Sequence, residues 1–141
     1  MLRKTVATLA MALGMGAISS ANALVLECKN VADVPISVAL SYLDYDGKTW
    51  MVEGWYNFPA GSRANIELES SNDIFYIFGE FESGDLVSGG PGALNLPVKY
   101  RTFKHIQGQQ NGQPDAEVSF VRGVASQGVA QITFGPLAPK K

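Results

Sequence analysis

The chain has 141 residues, 46% of them hydrophobic and 17% charged, which supports one domain with a core and excludes a disordered chain. Its formal net charge of −2 excludes a basic nucleic-acid binder of the usual kind, which needs cations to displace counterions from phosphates. A single Cys and a single His exclude zinc fingers and any multi-cysteine disulfide framework.

Residues 1–23 have the pattern of a cleaved export signal. Arg3 and Lys4 form a positive start, Val6 to Ile18 is an apolar stretch too short to span a bilayer comfortably, and Ala21-Asn22-Ala23 is a small-x-small cleavage pattern. Removing 23 of the 141 residues leaves 118 and shifts the net charge from −2 to −4. No further apolar run of membrane length follows, so the expectation is a periplasmic or secreted protein with no membrane span once the signal is gone. Thiols tend to oxidise in such compartments, which sets Cys28 apart. Its two readings are a buried, inert thiol on the side of Leu24 and Leu26, and a bond to another chain.

The remainder reads as strands. Leu24 to Lys29 is a short one. Ile36, Val38, Leu40 and Tyr42 alternate with Ser37, Ala39 and Ser41, the period of a half-buried strand. Asp46-Gly47 marks a hairpin of type I′, with Thr49 to Phe58 as the return strand. Pro59-Ala60-Gly61 turns the chain into Ser62 to Glu69, which is apolar at Ala64, Ile66 and Leu68 and polar between. Ile74 to Phe81 is apolar on both faces, as a central strand covered on both sides would be. Gly84 to Pro97, with four Gly and two Pro, reads as one long loop. Val98 to Ile106 reads as a strand, residues 107–114 as a second loop, and Glu117 to Val121 with Val129 to Phe134 as a closing hairpin. The expected organisation is a single β-domain over residues 24–135 with a tail at 136–141. The expected fold is all-β, an antiparallel β-sandwich or small barrel of about seven or eight strands.

Several of these pieces occur in an order that resembles a bacterial exported-protein family catalogued as domain of unknown function 1036. They are Cys28-Lys29-Asn30, Val38 to Tyr42, Gly47 to Trp50, Gly54-Trp55-Tyr56, Pro59-Ala60-Gly61 and Phe75-Tyr76, spanning Cys28 to Phe81. The resemblance implies an exported β-domain. It implies no catalytic residues, and the further cysteines of that family are absent here.

Function is sought first in the aromatic hairpin. Strict alternation puts Trp50, Val52, Tyr56 and Phe58 on one side of the return strand, and Met51, Glu53 and Trp55 on the other. Glu53 makes the Trp55 side the one expected to meet solvent or a partner, since exposed aromatics stack on sugars or fill a partner's pocket. The candidate binding residues are Trp55, Tyr56, Asp44 and Asp46, and the expected partner is a protein or a surface glycan. Asp44, Asp46 and Glu53 are also the nearest set of carboxylates for a hydrolase, which needs two at a fixed gap. Against that, Asp44 and Asp46 lie in a turn that Asx hydrogen bonds would explain. Asp44-x-Asp46-Gly47 starts like a calcium loop but lacks the distant Glu. His105 has no partner at metal spacing and reads as a surface histidine, and Gly89-Gly90-Pro91-Gly92 lacks the Lys of a phosphate loop. The leading expectation is therefore a non-catalytic binding domain with no cofactor and no metal. Its alternatives are an envelope hydrolase using Asp or Glu, and a structural subunit that assembles through sheet edges.

Overall fold

The computed structural model describes residues 4–5, 23–109 and 112–139. All regular elements there are strands: β1 (Lys4–Thr5), β2 (Ala23–Asn30), β3 (Ile36–Leu43), β4 (Trp50–Phe58), β5 (Arg63–Glu69), β6 (Ile74–Phe81), β7 (Leu86–Val87), β8 (Leu94–Val98), β9 (Phe103–Ile106), β10 (Ala116–Val124) and β11 (Val129–Phe134). Ten of them lie beyond the expected signal, against the seven or eight anticipated. Among the described residues no helix is long and apolar enough to cross a membrane.

The strands form two sheets. The larger has β4, β3, β6, β10 and β8 in that order, with β9 added to β4 and β7 to β6; β1 pairs parallel with Tyr56 and Asn57 of β4. The smaller runs β11-β2-β5, and its β11–β2 pair is parallel. Apart from the β1 and β11 pairings, all strand pairs are antiparallel.

Two apolar clusters hold these layers, one on each face of the larger sheet. The first lies between the sheets. Ile36, Val38 and Leu40 of β3, with Phe75 and Ile77 of β6, meet Leu24, Leu26 and Cys28 of β2 and Ala64, Ile66 and Leu68 of β5. Period-two alternation in β2 and β5 produces this directly: every second side chain is buried. The second cluster lies on the opposite face, where the larger sheet curls into a half-barrel. Leu96 and Val98 of β8, Phe103 of β9 and Phe120 of β10 close over Ala39, Val52, Trp55 and Phe78.

Three sequence expectations fail. The segment Gly84 to Pro97 is not one loop, because Leu86–Val87 pairs with β6 and Leu94–Val98 pairs with β10. Its glycines turn the chain between these strands: Gly84, Gly89, Gly90 and Gly92 all have positive φ. The run Val98 to Ile106 is not one strand either; β8 ends at Val98 and β9 begins at Phe103. Finally, β10 and β11 follow one another but form no hairpin. β10 joins the larger sheet and β11 the smaller, with only the bridge Ser126–Val129 between them.

Candidate functional site

The aromatic hairpin comes first. Its turn closes as read from Asp46-Gly47, but by a different route. Asp46 Oδ1 accepts from the backbone N–H groups of Lys48 and Thr49, at 2.7 and 2.9 Å, and Oδ2 accepts from the Thr49 hydroxyl at 2.6 Å. These bonds hold its carboxyl below the ordinary range. Only Gly47 has positive φ (72°), so the turn is not type I′, which needs two such residues; Gly47 N–H donates to Asp44 C=O at 2.9 Å.

The burial of the two tryptophans is the reverse of the expectation. Trp55 is 1% exposed, at the centre of the half-barrel cluster. Its indole Nε1–H donates to Lys99 C=O at 2.7 Å, and its rings meet Phe78 and Phe103 edge-on with centroids 6.1 and 6.0 Å apart. Trp50 is only half-buried and lies edge-on to Tyr76. The cause is a bulge. Val38 pairs with Tyr56 but Ala39 pairs with Gly54, so Trp55 is an extra residue on β4 and the alternation flips there. Gly54 permits the close packing beside it, since a Cβ there would lie 2.9 Å from the Phe103 ring and 3.3 Å from Ala39.

Glu53 is 5% exposed and lies beside Tyr42, on the side of the first cluster. The Tyr42 hydroxyl donates to its Oε1 at 3.1 Å, the Tyr56 hydroxyl donates to Oε2, and Lys104 Nζ stands 3.7 Å away in solvent. Burial first, then the neighbouring carboxylate, pushes both tyrosine hydroxyls up, so they remain protonated donors. The carboxylate is thus committed to two hydroxyls. The structure does not bring Trp55, Tyr56, Asp44 and Asp46 to one surface: Trp55 is enclosed, Tyr56 serves Glu53, and Asp46 braces its own loop.

His105 is half-buried rather than a surface residue. It stacks on Phe103 with centroids 5.4 Å apart, and burial followed by Lys99 lowers its pKa. No group of three or more His, Cys, Asp or Glu side chains that could hold a metal occurs among the described residues.

The surface feature that stands out lies elsewhere, where β11 overlies the margin of the larger sheet. A groove of about 760 Å³ opens between the two layers. Its floor is Phe75 and Ile77 of β6, Val87 of β7, and Val121 and Gly123 of β10; its roof is Ala130, Ile132 and Phe134 of β11. No charged side chain lines it. Val124, at its mouth, is 60% exposed and Val129 is 39% exposed. Gly123 lets the floor form, because a Cβ there would fall 2.4 Å from the Phe75 ring.

The groove follows from unequal layers. The smaller sheet is three strands wide, whereas the layer beneath it includes β4, β3, β6 and then β7 and β10 beyond β6. β11 is the last strand on its side, so the apolar residues past it have only partial cover. Alternation in Val129–Phe134 indicates which side chains point inward, but the sequence alone does not tell that β11 lacks a neighbour. No family model, curated protein or solved structure matches this chain.

Proposed function

We propose that this protein is an exported, non-catalytic binding domain that takes a protein partner into the groove between β10 and β11. The observation that carries this reading is the groove itself: an open, largely apolar cleft with no charged lining at a sheet margin, floored by β6, β7 and β10 and rimmed by exposed Val124 and Val129. Contiguous apolar surface left open on a soluble domain marks an interaction site. A protein is favoured over a glycan because Trp55, the ring expected to carry a sugar platform, is enclosed. Export is part of the proposal. It is supported by the basic start, the apolar run and Ala21-Asn22-Ala23. The resemblance to domain of unknown function 1036 belongs with it.

Photo-crosslinking tests the site. A benzoylphenylalanine placed at Val124 or Val129 should give one defined adduct in cells, and the same group at exposed Tyr100 should not. The adduct should vanish when Val121→Lys puts a charge into the groove. Equal adducts from Tyr100, or an adduct indifferent to Val121→Lys, would remove the groove as the binding surface. N-terminal sequencing of the exported form should give Leu24 first.

A further inference from the structure

The edge of β11 defines what kind of segment the groove takes. Two N–H groups on the β2 side fix which way β11 faces: Val25 donates to the C=O of Gly128, just before β11, at 2.8 Å, and Val31, just after β2, donates to the C=O of Phe134 at 2.9 Å. In a parallel pair, alternate residues turn both backbone groups to the same neighbour. The even-numbered residues of β11 therefore face β2, and the odd-numbered ones face away. Val129 closes its outward groups on Ser126. The N–H and C=O of Gln131 and Thr133 are left along the edge above the groove, and no strand among the described residues pairs with it.

Resting on the binding reading above, we infer that the bound segment is an extended, uncharged stretch of polypeptide with apolar residues at alternate positions, which adds to β11 as a fourth strand of the smaller sheet. The layer below continues past β6 into β7 and β10, whose Val87 and Val121 line the groove, so there is a floor for a segment laid along β11. Backbone groups at the edge supply the pairing, and the segment's inward side chains would cover Val121 and Val87. The absence of charge in the lining selects an uncharged inward face, since an unpaired charge there would be desolvated without compensation.

The probe is an uncharged octapeptide, acetyl-STVTVTVS-amide, added to the full mature chain. Hydrogen exchange and methyl shifts are read residue by residue. The expected result is slowing of the Gln131 and Thr133 amides by about tenfold or more, the scale of one added hydrogen bond, with shifts in Val121 and Ile132. A peptide N-methylated on every residue should not slow those amides. Shifts in Val121 and Ile132 with no slowing at Gln131 and Thr133 would overturn strand addition while leaving the groove as a binding site. The same overturning follows if the N-methylated peptide acts like the parent. No change in any groove residue would overturn both readings.

Discussion

The two faces of the larger sheet solve the same burial problem differently. On one face the sheet curls over itself and encloses Trp55 within a half-barrel built from its own strands. On the other it depends on a separate sheet that is too narrow to cover it, and a groove remains along β11. Closure needs strands long enough to bend back and a bulky residue to fill the space; Trp55, placed by the bulge on β4, fills it. The face that cannot close itself is the one left with surface for a partner. Stability is thus expected to concentrate around Trp55, and binding along β11.

The largest effect should come from emptying the enclosed side. Trp55→Ala removes a fully buried ring and leaves Lys99 C=O without its donor, so urea melts should show a loss of about 3–5 kcal/mol. Trp50→Ala, on a half-buried ring, should cost about 1 kcal/mol in the same experiment. Equal losses would mean that Trp55 has no special place in the core.

The open side can be disturbed through its floor. Gly123→Val drives a side chain into the Phe75 ring and should destabilise by about 1–3 kcal/mol, measured by urea melts. A smaller value than for Trp55→Ala is expected, because the groove leaves Phe75 room to yield.

A site outside both faces calibrates the comparison. Gly47 has nothing within 4 Å of its would-be Cβ, so Gly47→Val tests backbone conformation alone. Its φ of 72° predicts a loss of about 1–2 kcal/mol, read as a lower Tm. An unchanged Tm would contradict the left-handed conformation at the turn.

Cys28 reports on the closed part of the face between the sheets. Burial pushes its thiol up to about 12 and leaves it 2% exposed, so labelling by a thiol reagent at pH 8 should be slow until the protein unfolds. Rapid labelling, or a dimer that reductant dissociates, would show that the two sheets separate there.

The smallest effect concerns His105. Its folded pKa lies below the ordinary 6.5, so between those two values the unfolded chain binds the extra proton. Stability should therefore fall as pH drops below about 6.5 and be insensitive to this group above it. His105→Gln should remove that part of the decline, seen as a difference between two pH–Tm curves. Identical curves would show that His105 titrates alike in both states.

The sequence by itself determined what depends on neighbours along the chain. Alternation placed Leu24, Leu26 and Cys28 on one side of a strand and Ala64, Ile66 and Leu68 on one side of another. Asp46-Gly47 marked the turn, because a carboxylate that bonds to nearby amides and a residue free to take positive φ act within four residues. These signals were enough for an all-β, mostly antiparallel domain. Strands β7 and β8 were not legible, because runs as short as Leu86–Val87 carry no period of their own and are defined by their partners. Trp55 was misplaced for a related reason: a bulge gives β4 one extra residue opposite the Val38–Ala39 step of the facing strand, and no local pattern on β4 announces it. The groove is further still from sequence. Its residues come from β6, β7, β10 and β11, and it exists because β10 and β11, adjacent in the chain, join different sheets. Which sheet a strand joins is set by the burial of the whole set of strands at once, and that is decided only when the layers pack.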